Sequence, residues 1–305
     1  MKASDLITVL CAAHLSRHVQ SPFTDRGGII LIGPPGVLKS TFIDVLDANY
    51  HDVLQLSDIN AKSLVTLRDS IASKTITTLC LPEMGKLYER HESTAKNVEG
   101  VLRALVAEGF QAASYEDQQV NRMKAKAMVI GAMTPGIMSH HSEAWRESGF
   151  SRRFLFPLIR LDNPTILIDA IFNWKLLDFD VPRIPRPPVG GALIPMTATK
   201  EERHRLTSWC KYQSTGANSI QVTMMFKILS VLRWWNKELD VPDTSLAVVN
   251  RFAESLGRQG GATVEMEIRA PMVPVAKQRQ PMAKSKVKKS PAKSSRKPIH
   301  KGRRS

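Results

Sequence analysis

The sequence predicts an α/β fold: a parallel sheet with helices on both faces, then a small helical unit and a basic tail. Three observations carry this expectation. Short apolar runs alternate with helical stretches from Gly28 to Ile159. A proline-rich break follows, and helical periodicity resumes beyond it. The last 37 residues, from Arg269, hold 13 Lys/Arg and no Asp or Glu. Strands alternating with helices mark βαβ units, whose strands are buried on both faces and read as continuous apolar runs.

Residues 1–26 predict an amphipathic helix and a loop. His14, Arg17 and His18 interrupt the apolar stretch there, which also argues against a signal peptide. GIILI (Gly28–Ile32) predicts a buried strand. A Gly/Pro-rich turn leads from it into a helix over Lys39–Ala48. Further strands are expected at Val53–Leu56, Ile76–Leu81, Ala127–Ala132 and Phe154–Ile159, with helices at Ala61–Ala72, Ser93–Ala107 and Ile137–Trp145. Together, residues 27–180 form the expected core. Residues 181–195 (VPRIPRPPVGGALIP) carry five prolines and two adjacent glycines. Such a segment continues neither a helix nor a central strand, so 181–196 is expected to be a linker. Residues 197–260 return to helix. Met224, Ile228, Val231, Leu232 and Trp235 fall on one face, Val241-Pro242-Asp243 makes a turn, and Leu246–Leu256 forms another helix. Beyond Val273 there is no aromatic residue and no Leu, so 261–305 predicts a disordered basic tail.

Composition excludes several classes. At 43% apolar residues the chain is not wholly disordered. No apolar run approaches the ~20 residues that span a bilayer. Cys11, Cys80 and Cys210 are far apart and form no C-x-x-C pair, which excludes a disulfide scaffold and a structural zinc site and fits a reducing cytoplasm. The net charge of +15 is concentrated at the end: the first 268 residues carry 30 basic and all 28 acidic residues.

GPPGVLKS (Gly33–Ser40) lies between the first core strand and its helix. A glycine-rich turn in that position points backbone N–H groups at phosphate oxygens, and the helix N-terminus adds partial positive charge. In the pattern G-x-x-x-x-G-K-[ST], Lys39 reaches the β- and γ-phosphates and the Ser40 hydroxyl ligates Mg²⁺. Gly33, Pro34, Pro35, Gly36, Val37, Leu38, Lys39, Ser40 and Thr41 are therefore the candidate nucleotide-binding residues. Leu38 departs from the pattern, standing where its second Gly belongs.

GPPGVLKS resembles the Walker A motif of AAA+ ATPases, usually written GPPGTGKT; minichromosome-maintenance helicases, a branch of that superfamily, also replace the last Gly, with Ala. Three further segments follow in the family's order. LCLPEMGKL is similar to the Walker B segment of those helicases, including Lys86 three residues after Glu83. MVIGAMTP (Met128–Pro135) resembles the sensor 1 strand, with Thr134 at its polar position. GFSRRFLFP (Gly149–Pro157) resembles the Ser-Arg-Phe arginine-finger region and the matching segment of phage and mobile-element ATPases.

The resemblance implies an ATP- and Mg²⁺-dependent site with named parts. Glu83 orients the attacking water, Thr134 bridges water and γ-phosphate, and Arg153 or Arg152 stabilises the transition state in a neighbouring subunit. An arginine acting in trans implies a closed ring, a hexamer in the family. Pro82 replaces the Walker B Asp that holds the Mg²⁺ shell; Asp58 and a water molecule are the two substitutes. Residues 197–260 correspond to the family's lid, with Lys227 and Arg233 as candidates for its sensor 2 residue. Residues 109–126 correspond to a pore hairpin, where Arg122, Lys124 and Lys126 can contact phosphate. In the tail, Lys284, Lys286, Lys288 and Lys289 neutralise phosphates without sequence preference, and KKSPAKSSRK is similar to linker-histone tails.

The function expected is a ring-forming helicase or helicase loader acting on DNA in phage or mobile-element replication, in the host cytoplasm if phage-encoded, with no membrane partner. Two other readings stay open. One is a DNA-binding scaffold that binds nucleotide without hydrolysing it, since Leu38 and Pro82 both fall at catalytically sensitive points. The other is an ATPase that remodels protein partners.

Overall fold

The computed structural model describes residues 3–110, 124–161, 184–213, 219–256 and 262–264. Helix α1 (Ala3–Leu15) and the two-residue strand β1 (Val19–Gln20) lead into β2 (Gly28–Ile32). Then follow α2 (Lys39–Asn49), β3 (Val53–Gln55), α3 (Ala61–Ala72), β4 (Thr78–Leu81), α4 (Glu92–Val106), β5 (Met128–Met133), α5 (Pro135–Ser148) and β6 (Phe154–Leu155). Strands β2 to β6 form one parallel sheet in the order β3-β4-β5-β2-β6.

This order fixes which helix covers which face. The chain leaves β2 toward β3 in one direction and returns through β4 and β5 to β6 in the other. Right-handed crossovers then place α2 on one face and α3, α4 and α5 on the opposite one. Two hydrophobic cores follow. On the first face Ile29, Leu31, Cys80, Met128, Ile130 and Ala132 meet α2 through Phe42, Ile43 and Leu46. On the second, Ile30, Ile32, Leu79, Leu81 and Val129 meet Leu64, Val98, Leu102 and Trp145. The alternation along each strand is the period-2 pleat of a sheet buried on both sides.

Helix α1 differs from its expectation. It is buried almost all round, not amphipathic, and lies against α2 and the C-terminal helices of the first core. The polar residues at its end and just after it face internal partners: His14 Nδ1 lies 2.9 Å from Thr78 Oγ1, and Arg17, in the turn after the helix, pairs with Asp52 at 2.8 Å. Cys11 and Cys80 are free and buried, and burial pushes the Cys11 thiol up to about 12.

The expected strand over Phe154–Ile159 is split. Phe154–Leu155 pairs with β2, and β7 (Ile159–Leu161) pairs instead with β9 (Ala262–Val264). Pro157 lies between them, and its lack of an N–H interrupts the ladder, although its carbonyl accepts from Ile32 N at 2.9 Å. Residues 262–264 thus extend ordered structure past the boundary expected at 260. In the proline-rich segment, β8 (Ile194–Pro195) adds beside β1 as a two-residue parallel strand.

Three further helices, α6 (Lys200–Gln213), α7 (Ser219–Glu238) and α8 (Ser245–Ser255), fall within residues 197–260, where helix was expected. Met224, Ile228, Val231 and Leu232 of α7 and Val249 and Phe252 of α8 belong to the same core as α1, α2 and the sheet. Contacts gather Met1–Arg269 into a single unit, so these helices share the sheet's core. Among the described residues, no helix is long and apolar enough to cross a membrane.

Candidate functional site

Adjacent parallel strands whose following helices go to opposite faces leave a crevice at their carboxyl ends, the usual ligand position in open α/β sheets. Here those strands are β2 and β5: α2 follows β2 onto one face and α5 follows β5 onto the other. Gly33–Leu38 leaves β2 at this crevice, and Gly33 N donates to Met133 O, at the end of β5, at 3.2 Å.

The loop is pinned at both ends. A Cβ on Gly33 would stand 2.8 Å from the Ile159 carbonyl oxygen, so glycine is required there by close backbone approach. Val37 is buried and Leu38 packs against the first core, while Pro34, Pro35 and Gly36 form an exposed crest. Leu38 has φ 57° and ψ 26°, the left-handed conformation that glycine adopts freely. Its side chain is absorbed by the core, and the backbone keeps a glycine-like shape at that position.

This makes a specific expectation. Leu38→Gly relieves the left-handed strain, whereas Leu38→Ala keeps the strain and loses most of the packing. The Gly variant is expected to be more stable than the Ala variant by about 1 kcal/mol, the reverse of their order in a helix interior. Urea denaturation of the pair checks it; an Ala variant as stable as the Gly variant excludes the left-handed backbone.

Lys39 and Ser40 open α2, where the first N–H groups have no intrahelical acceptor. Lys39 Nζ turns back over the loop and donates to the carbonyls of Gly33 and Pro34 at 2.8 and 2.7 Å. Half-burial lowers its pKa from the ordinary lysine value. Ser40 is exposed and Thr41 half-buried on the same turn. Orphan N–H groups, a helix N-terminus and an ammonium thus converge on one small region, an arrangement suited to phosphate oxygens.

Thr134 lies beside the loop, directly after β5, and caps α5 without a side-chain hydrogen bond to its N–H groups. Glu83 follows β4, two strand positions from β2, or roughly 10 Å across the sheet. Its turn, Met84–Glu89, is anchored by buried Met84 and Leu87. The Glu83 carboxylate is exposed and ion-paired with Lys86 three residues on. Lys39, Ser40, Thr134 and Glu83 therefore share one edge of the sheet.

Asp58 does not join them. It follows β3, three strand positions from β2, and its carboxylate is held by Arg90 and by the Ile59 N–H. Arg153 and Lys126 lie at the opposite edge, before β6 and β5. Five residues of β2 separate the edges by roughly 16 Å. Arg153 is engaged by Glu108 and the Gly149 carbonyl, while Arg152 is exposed. Lys126 donates to Thr24 Oγ1 at 2.8 Å and lies 3.7 Å from Asp25; Lys124 is exposed. Arg122 and the tail residues Lys284, Lys286, Lys288 and Lys289 lie outside the described residues.

The two sensor 2 candidates are both engaged within the fold. Lys227 is 4% exposed, and its ammonium donates to the carbonyls of Phe23 and Asp25 at 2.8 and 2.9 Å. Arg233 is bound by Glu202 and Asp243. Both tie α7 to neighbouring segments.

A groove of about 980 Å³ lies elsewhere, between Tyr50, Pro185, Pro188, Trp234 and Trp235. Its mainly apolar walls do not suit phosphate, so the loop remains the candidate site. Sequence reasoning missed the Lys86 and Arg90 pairings that occupy Glu83 and Asp58; the three-residue spacing of Glu83 and Lys86 was a signal for the first. No family model and no curated protein matches the chain.

Proposed function

We propose that the chain is an ATP-binding protein of AAA+ type that acts on DNA, as a ring-forming helicase or helicase loader. The observation that carries the reading is the phosphate loop at the β2–β5 crevice, with Lys39 and the first turn of α2 facing the same region. In this reading the triphosphate lies along Gly33–Thr41. Its negative charge meets Lys39, the orphan N–H groups and the helix dipole. Thr134 and Glu83, on the same edge, orient the water that attacks the terminal phosphate. Arg153 is too far to serve its own crevice and acts on a neighbour's, once released from Glu108.

The residues fit Mg²⁺ in part. Ser40 would be its protein ligand, and the magnesium would neutralise charge at the phosphates; Pro82 offers no carboxylate to help hold it.

A second reading, a nucleotide-gated DNA-binding scaffold without turnover, draws support from the Glu83–Lys86 ion pair. A carboxylate so paired must first release Lys86 before it can activate water. ATP turnover by the full chain, with and without single-stranded DNA, separates the two readings. DNA-stimulated turnover that drops about 100-fold or more in Glu83→Gln supports the motor. Nucleotide binding without turnover leaves the scaffold.

A further inference from the structure

The sheet edge opposite the Gly33–Leu38 loop carries an exposed aromatic ring beside an excess of positive charge among the described residues. Phe23 is 49% exposed although it lies on a tethered loop: Lys227 donates to the Phe23 and Asp25 carbonyls from beneath, and Phe23 N donates to Ser21 Oγ at 3.2 Å. The loop is thus held in place while its ring faces solvent. Lys126 is hydrogen-bonded to Thr24 next to it. Lys124 is exposed two residues before Lys126. The Arg26 guanidinium is half-buried and has no ion pair among the described residues; burial first, and the nearby Arg17 charge second, lower its pKa. Arg17 itself is matched by Asp52. Among the described residues that leaves Lys124, Lys126, Lys227 and Arg26 against the carboxylate of Asp25.

We infer that this edge is a single-stranded nucleic-acid platform, with Phe23 stacking an unpaired base and Lys124 and Lys126 meeting the flanking phosphates. An exposed ring within a cationic surround is what sequence-tolerant strand binding needs: every base has a π-face, and the backbone charge is neutralised alongside. A protein-docking patch would instead extend over contiguous apolar surface. Duplex would hide the base faces that Phe23 is placed to stack. The inference takes its ligand class from the proposed function and requires no nucleotide hydrolysis.

The test uses the full chain and a labelled oligothymidine in salt high enough to weaken purely electrostatic binding. Phe23→Ala is expected to lose roughly tenfold in affinity. Phe23→Trp is expected to bind as the unaltered chain does, with its added emission quenched by oligothymidine and by oligouridine but not by inorganic polyphosphate. Unchanged affinity in Phe23→Ala, or no quenching in Phe23→Trp, overturns the platform. So does a change in oligomeric state on sedimentation with oligonucleotide affinity unaltered, since Phe23 would then lie in a contact between copies. Binding of a fluorescent ATP analogue is read in the same samples: its absence with the platform intact counts against the proposed function alone.

Discussion

Lys39→Ala is expected to cost about 100-fold in triphosphate affinity while leaving the fold in place. Lys39 is the loop's one cationic side chain, and its ammonium donates to the Gly33 and Pro34 carbonyls. Half-burial already disfavours its charge, so a phosphate anion gains both a hydrogen bond and relief of that desolvation. Charge-assisted hydrogen bonds contribute about 1.5–3 kcal/mol each, which corresponds to roughly 10- to 150-fold in binding. The folded chain loses less. The two carbonyls are at the edge of solvent and water replaces the ammonium, so the stability change stays near 1 kcal/mol. Lys39→Arg is not expected to rescue, because a planar guanidinium does not reproduce a compact point charge in a tight loop. Titration with a fluorescent ATP analogue, beside a thermal melt and Lys62→Ala as an exposed-lysine control, checks the claim. Equal affinity in Lys39→Ala and the unaltered chain would remove Gly33–Thr41 from the site.

The parts of this structure that were legible in the sequence are those whose cause is local. GIILI and the turn after it fix β2, the loop and the start of α2 within about a dozen consecutive residues. Helix α3 is bounded by its own chemistry: the Asn60 side chain accepts from Ser63 N while Ser63 Oγ accepts from Asn60 N. What was not legible depends on partners remote in the chain. His14 and Arg17 look like solvent-facing interruptions of an apolar run, yet their partners Thr78, Thr77 and Asp52 arrive from the starts of β3 and β4, remote in the chain. β7 turns away from the sheet because Pro157 interrupts it and because β9, a hundred residues later, supplies a strand to pair with. The site divides in the same way. The positions of Lys39 and Ser40 follow from the motif. That Leu38 is accommodated follows only from the first core, which takes its side chain. The engagement of Arg153 by Glu108 and of Lys126 by Asp25 is likewise tertiary.

Asp52→Ala should be the most damaging single change away from the loop. Asp52 is 5% exposed and precedes β3. Its carboxylate pairs with Arg17 at 2.8 Å, accepts from Thr77 Oγ1 and lies 3.4 Å from His14 Nε2, while its carbonyl accepts from Thr77 N at 2.9 Å. It thereby ties α1 to the amino-terminal edges of β3 and β4. Removing it leaves a largely buried guanidinium without its counter-ion, at a cost of about 3–5 kcal/mol. A chain of this size loses roughly 2–4 °C of melting temperature per kcal/mol, so a fall of about 10 °C is expected. Breaking a pair is worse than replacing it with apolar groups, so Arg17→Met in the Asp52→Ala background should recover part of the loss. The acid limb of stability has the same origin. Burial raises the Asp52 carboxyl, but the contacts from His14 and Thr77 and the Arg17 charge outweigh it and hold it well below the usual carboxylate range. Because its pKa is depressed in the fold, its contribution is complete above the unfolded value of about 3.9 and is lost as pH falls further. Burial likewise lowers His14, which stays neutral in the fold while the unfolded chain takes up a proton below about 6.5. Stability should therefore decline first below pH ~6.5 through His14 and again below ~4 through Asp52. Asp52→Ala should weaken the second step, leaving the part due to Glu108, Glu202 and Asp243, and keep the first. If Asp52→Ala melts with the unaltered chain and retains both steps in full, this network does not hold α1 against the sheet.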